Sequence, residues 1–281
     1  MIKLDNTLLL GHRGARSEAL ENTLFGFEHA YGLQAQGLSG VEFDVQLTAD
    51  GHLIIFHDET LQRLCGLQSR VDQLSLIEIQ RQLQSGHKII TLDMLAQSMT
   101  CPSAIFSRSD VPNASVTETT VTKASTTNKT QKPQILLPAL TQFTHIELEI
   151  KTHDRTNYAK LIQALIHYLV DTPLASLPIV LTTFDVQLLA QLQCNKVLAN
   201  IPRGLLVRTP QSMALAPNTA LQLGCTQLGI HYPLITQSII QNAHRYGLPV
   251  SAWTVNDIEI AKKLVKWQVD VIITDIPTQL L

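Results

Sequence analysis

Short apolar runs alternate along this chain with segments of helical period, and that rhythm limits the possible folds more than any other feature. The strand-like runs are Thr7–Leu10, Gly40–Val45, Leu53–Phe56, His145–Ile150, Pro178–Thr182, Gly204–Val207, Gln227–Ile230, Pro249–Trp253 and Val271–Ile273. Helical spacing shows at Leu24, Phe27 and Tyr31, at Tyr158, Leu161, Leu165 and Leu169, and again at Ile258, Ala261, Leu264 and Val265. Strands that alternate with helices pack as an α/β fold around a mostly parallel sheet. The 281 residues suit a closed eight-stranded barrel. Nine runs are one more than such a barrel needs. The surplus is expected near Thr48-Ala49-Asp50-Gly51, a turn signal with too little chain around it for a crossover helix.

The chain is 45% hydrophobic and 16% charged, enough apolar material for a substantial core. A formal net charge of −2 carries no nucleic-acid footprint, so no nucleic-acid partner is expected. No apolar run is long enough to span a bilayer, and no stable membrane anchor is expected. Met1-Ile2-Lys3-Leu4-Asp5 leads at once into Leu8-Leu9-Leu10-Gly11, leaving no room for a secretory signal. Cys65, Cys101, Cys194 and Cys225 are scattered without a C-x-x-C pair, which reads as reduced thiols in a cytoplasmic protein. One region breaks the rhythm. From Ser115 to Thr130, nine of sixteen residues are Ser or Thr, bracketed by Pro102, Pro112, Pro133 and Pro138. The reading is a single barrel domain over 1–281 with a flexible polar insertion at about 101–138, either a tolerated surface loop or a lid.

Val41-Glu42-Phe43-Asp44-Val45 places two carboxylates two residues apart on a strand. Alternation turns Glu42 and Asp44 to one face and the apolar residues to the other. Two hard oxygen donors on one face are half a site for Mg²⁺ or Ca²⁺, or else two exposed acids on an edge strand. Gly11-His12-Arg13-Gly14 closes the first strand, where a His can move protons near neutral pH and an Arg can fork onto phosphate oxygens. Glu21-Asn22-Thr23 opens a helix with ordinary capping residues. Leu53–Phe56 ends in His57-Asp58. His145-Ile146-Glu147-Leu148-Glu149-Ile150-Lys151 puts Glu147, Glu149 and Lys151 on one face. Trp253-Thr254-Val255-Asn256 and Thr274-Asp275 complete the set.

In this order, H-R-G, six residues, E-N-T, then E-x-D, T-x-D-G, H-D, E-x-K, W-T-V-N and T-D, the chain resembles the glycerophosphodiester phosphodiesterase family, most closely its compact cytosolic bacterial members. The likeness runs from about Thr7 to Pro277, interrupted by the Ser/Thr-rich insertion, and includes Ile201-Pro202-Arg203-Gly204-Leu205-Leu206 and Leu223-Gly224-Cys225. It implies a TIM-type (β/α)8 barrel related to the phosphatidylinositol phospholipases C. It implies metal-dependent hydrolysis of glycerophosphodiesters to glycerol 3-phosphate and an alcohol. By position, Glu42, Asp44 and Glu149 match the ligands of a divalent cation, Mg²⁺ or Ca²⁺. His12 and His57 match the general acid/base pair, Arg13 and Lys151 match positions near the phosphate, and Trp253 matches an aromatic position at the barrel mouth. By analogy with the related phospholipases, the glycerol 2-hydroxyl attacks first, and water then opens a cyclic phosphate.

Leu20 and Ile90 stand where the family has Pro, and Thr182-Thr183-Phe184 replaces Ser-Ser-Phe. These departures alter turn stiffness rather than proton or metal chemistry. Glu147 shares the face of Glu149 where the family has a neutral polar residue. It reads either as an acid that orients a ligand or as a Lys-paired structural carboxylate. His29, His87, His153, His167 and His244 lack motif neighbours, His52 faces away from His57, and His231 lies at a strand end that can reach the mouth. The competing functions are a lysophospholipase D using the same centre on an acylated substrate, and an inert binding protein on the same barrel. The first would need an apolar groove or a membrane-facing helix, and no anchor rich in Lys, Arg and Trp is present. The second would be marked by a lost His or acid, and all five are retained.

Overall fold

The computed structural model describes residues 2–83, 88–100 and 140–281. Eight parallel strands close a barrel: β1 (Leu8–His12), β2 (Gly40–Leu47), β5 (His145–Ile150), β6 (Ile179–Thr183), β7 (Arg203–Val207), β8 (Gln227–His231), β9 (Val250–Trp253) and β10 (Val271–Thr274). The closure is β1 lying between β10 and β2, with Leu9 opposite Ile272 and His12 opposite Glu42. The TIM-type expectation therefore holds. The Ser/Thr-rich stretch at about 101–138 lies outside the described residues.

Period-two alternation builds the barrel wall. On β2, Val41, Phe43 and Val45 are buried outward in the main core, while Glu42 and Asp44 turn inward. On β5, Ile146, Leu148 and Ile150 join that core, leaving His145, Glu147 and Glu149 on the inner face. The parallel register sets Glu42 beside Glu147 and Asp44 beside Glu149. Gly40 makes the pairing possible, because a Cβ there would lie 1.7 Å from the His145 carbonyl oxygen. Part of the barrel interior is apolar, built from Leu10, Val271 and Ile273 with Leu8 and Trp253 packed against them.

Outer helices follow the strands, and their starts are chemically marked. Thr23 caps α1 (Leu24–Gly32), Asn157 caps α5 (Tyr158–Val170) and Asp185 caps α6 (Val186–Cys194). Thr209 caps α7 (Pro210–Gln222), Thr236 caps α8 (Gln237–Arg245) and Asp257 caps α9 (Ile258–Lys266). The short α10 (Pro277–Leu280) ends the chain, and its Leu280 carbonyl accepts from the Ile2 amide at 3.0 Å.

The ninth run is a hairpin return, as the turn signal implies. Beyond the barrel rim, Val45, Gln46 and Leu47 of β2 pair antiparallel with β3 (Leu53–Ile55). A two-residue strand that the periodicity does not reveal, β4 (Ile90–Thr91), then pairs with β3. Between them lie α2 (Gln62–Cys65) and α3 (Leu76–Gln82). This excursion has a small core of its own: Ile54, Phe56, Leu61, Val71, Ile79 and Ile89. After β4, α4 (Leu92–Thr100) returns to the outer layer, where Tyr168 of α5 donates to Asp93 Oδ2 at 2.6 Å. No helix among the described residues is long and apolar enough to cross a membrane.

Candidate active site

The strands deliver their carboxyl ends to one mouth, the end at which barrel loops assemble sites. Glu42 and Asp44 of β2 and Glu149 of β5 each present a carboxylate oxygen there, all within 4.8 Å of one another. Asp44 is fully buried and Glu42 is 4% exposed. Asp44 Oδ1 meets Lys151 Nζ at 2.9 Å, and its Oδ2 accepts from Asn22 Nδ2 at 2.9 Å and faces Arg13 Nε at 3.2 Å. Lys151 Nζ also contacts Glu149 Oε1 at 2.5 Å.

Burial alone would raise the Asp44 carboxyl. The positive charges of Lys151, His57 and Arg13 and the hydrogen bond from Asn22 outweigh it and hold the group well below the usual range. Glu42 goes the other way: burial, then the negative charges of Asp44 and Glu149, push its carboxyl well up. Burial also lifts Glu149, to about 6, against the pull of Lys151.

These residues fit a hard divalent cation. The donor set is all oxygen, three carboxylates crowd together at a cost that a cation would relieve, and Glu42 Oε1 is buried with no hydrogen-bond partner.

Two imidazoles flank the acids, each gripped by a carboxylate. His12, at the end of β1, holds Asp275 Oδ1 through Nδ1 at 2.5 Å, and its Nε2 lies 3.7 Å from Glu42 Oε2. Asp275 is steadied in turn by Asn256, whose Nδ2 donates to Asp275 Oδ2 at 2.7 Å while its Oδ1 accepts from the Asp275 amide at 2.9 Å. His57, just past β3, holds Asp58 Oδ1 through Nδ1 at 2.7 Å. Arg63 of α2 donates from Nε to Asp58 Oδ2 at 2.6 Å and spans to Glu21 through both terminal nitrogens, at 2.9 and 2.7 Å. Glu21 also accepts from Arg13 Nη1 at 2.7 Å. With Nδ1 engaged, Nε2 of each ring is the nitrogen left outside these carboxylate hydrogen bonds. Burial pushes both imidazoles below their ordinary value, against the raising effect of Asp275 on His12 and of Asp44 on His57.

The H-R-G turn has a local cause. Arg13 and Asn22 both adopt left-handed backbone, φ 53° and 54°, and the Arg13 amide thereby reaches Glu42 Oε2 at 3.1 Å. Gly14 sits at φ 92° against Gly26, where a Cβ would meet backbone at 2.8 Å.

All eight residues singled out from the sequence converge here. His12, Arg13, His57, Glu149, Lys151 and Trp253 line one cavity of about 350 Å³, and the buried Glu42 and Asp44 cluster with its lining residue Glu149. Arg13 and Lys151 are tied to acids in this state, so their cationic heads serve the carboxylate cluster as well as the cavity. Of the two readings of Glu147, the lysine pair is not met: among the described residues no lysine pairs with it. It sits two residues before Glu149, 1% exposed, with His145 Nε2 3.5 Å from its Oε1, while Lys151 is spent on Asp44 and Glu149. His231 does reach the mouth, with its ring 5.1 Å from that of Trp253. His52 turns away, towards Asp93.

The orienting roles of Asp275, Asn256, Asn22 and Arg63 and the wall residues Phe184 and Arg208 escaped the sequence reading. The T-D, W-T-V-N and E-N-T motifs held three of these positions, Asp275, Asn256 and Asn22, but nothing local says which ring or acid each one grips. Among the described residues, Cys65, Cys194 and Cys225 are free thiols.

The model of the glycerophosphoryl diester phosphodiesterase family matches residues 12–279. A glycerophosphodiester phosphodiesterase from Caldanaerobacter subterraneus subsp. tengcongensis is 43% identical over 82 residues, covering 29% of this chain and 32% of its own. A lysophospholipase D from Mus musculus is 41% identical over 71 residues, covering 25% of this chain and 21% of its own. The chain thus spans a third or less of the length of these curated relatives. Among solved structures, an Oleispira antarctica phosphodiesterase in complex with the product sn-glycerol-3-phosphate superposes with a TM-score of 0.71 at 22% identity, covering 97% of this chain and 94% of that one. At that identity the likeness concerns the fold.

Proposed function

This chain belongs to the glycerophosphoryl diester phosphodiesterase family, and from that premise we propose that it hydrolyses glycerophosphodiesters to glycerol 3-phosphate and an alcohol, with a divalent cation and a histidine pair. The observation that carries this reading is the convergence of two carboxylate-held imidazoles on a three-acid oxygen cluster in one cavity. The product bound by the Oleispira antarctica relative supports the same substrate class.

A phosphodiester resists attack because its charge repels nucleophiles and its alkoxide leaves poorly. Glu42, Asp44 and Glu149 would hold Mg²⁺ or Ca²⁺, which when bound polarises a phosphoryl oxygen and offsets developing charge. Arg13 and Lys151 add positive charge beside the phosphate. His12 and His57 act as general acid and general base: one Nε2 accepts the proton of the attacking hydroxyl, and the other gives a proton to the departing alkoxide. Asp275 and Asp58 keep Nδ1 protonated, which leaves Nε2 as the working nitrogen, and they stabilise the ring when it is charged. Trp253 bounds the substrate at the mouth. The reading extends to a single barrel domain over 1–281, acting on a small-molecule substrate in the cytoplasm.

The test is release of glycerol 3-phosphate from a panel of glycerophosphodiesters by chelator-stripped protein, with Mg²⁺, Ca²⁺, Mn²⁺ or no metal added. Turnover that depends on added metal is the expected result. Turnover of acylated substrates alone would reassign the site to the activity named for the mouse relative. Turnover of neither would return the chain to a binding role.

A further inference from the structure

Four permanently cationic side chains line the cavity, and three of them are matched with acids. Arg13 pairs with Glu21 and Asp44, Lys151 with Asp44 and Glu149, and Arg16 lies 3.6 Å from Asp275 and 3.9 Å from Glu21. Arg208 is the exception: no described carboxylate pairs with it. It follows β7, is exposed, and rests its guanidinium 4.9 Å above the centre of the Phe184 ring. Phe184 in turn meets Trp253 edge to face at 5.6 Å. Phe184 and Arg208 follow the ends of β6 and β7, and Trp253 ends β9.

We infer that Arg208 is a specificity-determining residue that selects glycerophosphodiesters whose departing alcohol carries a further anionic group. The inference rests on the phosphodiesterase reading and narrows its substrate class. Aromatic rings at a cavity mouth can hold a quaternary ammonium such as choline. Here the Phe184 face already carries a cation of the protein itself, and the Trp253 ring is flanked by Phe184 and His231. A cationic headgroup would have to displace Arg208 and sit beside it. An anionic group meets the opposite situation. A guanidinium on a ring face is held more weakly than one forked onto a carboxylate or phosphate, so Arg208 can swing from Phe184 onto the substrate. The same side chain therefore repels one headgroup class and gains a partner from the other, and specificity follows from the difference.

The experiment compares kcat/KM for four esters of glycerophosphate: with choline, with glycerol as the uncharged reference, with glycolate carrying a carboxylate, and with a second glycerophosphate through glycerol carrying a phosphodiester. The wild type is expected to prefer both anionic esters to the choline ester by about tenfold or more. Arg208→Gln is expected to cut turnover of the anionic esters by about tenfold and to raise that of the choline ester, closing the gap. Arg208→Lys keeps the charge and should retain most of the preference, which a merely structural role for Arg208 would not produce. A gain for only one anionic ester identifies the anion that fits the fork. A flat headgroup profile, or a ratio that Arg208→Gln does not move, overturns this inference alone. Turnover of none of the four by the wild type overturns the phosphodiesterase reading, and the inference with it.

Discussion

His12 and His57 reach the same cavity from unlike parts of the molecule. His12 ends a barrel strand whose neighbours on both sides are barrel strands, and its carboxylate partner Asp275 lies just past the end of β10, 263 residues away in sequence. His57 stands on the excursion between β2 and β5, backed by a small separate core, and its partner is the next residue, Asp58. One imidazole is positioned by closure of the barrel. The other is positioned by a hairpin, six buried side chains and the Arg63–Glu21 link back to the first βα loop. Gln46 makes a second link, donating to the carbonyls of Phe56 and Asp58 at 2.8 and 2.7 Å. The two imidazoles thus rest on separate supports, one on the barrel strands and the other on the excursion's own core and its two links.

The largest expected effect treats the two halves alike. His12→Ala and His57→Ala should each lower kcat by about a hundred- to ten-thousand-fold, with melting temperature nearly unchanged. If either variant kept near wild-type kcat, the two halves would not share the chemistry. Next, core truncation should separate them. Phe56→Ala, in the excursion, and Phe43→Ala, in the barrel, each remove a fully buried ring at a cost of about 3–5 kcal/mol. The first is expected to lower kcat while calorimetric binding of Mg²⁺ or Ca²⁺ persists. The second should weaken both together, because Phe43 lies between Glu42 and Asp44. Equal loss of cation binding in both variants would break the distinction.

A smaller effect is expected from the orienting carboxylates. Asp275→Asn and Asp58→Asn should each cost about 10–100-fold in kcat, by analogy with the loss of a carboxylate that orients a metal-bound histidine. Asp275→Asn should also disturb Asn256, which binds the same carboxylate, whereas Asp58→Asn should loosen Arg63. Crystal structures of the two variants would show which partner moves.

The smallest effect concerns acid stability. Burial would raise the Glu21 carboxyl, but hydrogen bonds from Arg63 and the charge of Arg13 hold it at about 2. A carboxylate lowered on folding contributes stability that is fully present above its unfolded value, ~4.3, and is lost as pH falls through its folded value. Wild-type stability should therefore decline between about pH 4.5 and 2 partly through this group. Glu21→Gln should be less stable at neutral pH and flatter across that window by urea unfolding. An unchanged slope would show that the link between the halves carries no folding energy.

Much of this molecule was legible in its residues alone. The strand–helix rhythm implied a barrel, Thr48–Gly51 implied the extra hairpin strand, and period-two alternation put Glu42 with Asp44 and Glu149 with Lys151. These are local properties: a strand turns every second side chain the same way whatever surrounds it. The two-residue β4 was not legible, because so short a strand has no period to detect. Nor was the partner of Glu147, the pairing of His12 with Asp275 or the seat of Arg208 on Phe184. Each of these depends on which strand ends and loops meet around the closed ring. Closure brings together groups whose spacing along the chain is unrelated to their separation in space. The chemistry was therefore written in residue types and alternation, while the choice of which acid grips which ring was left to the tertiary fold.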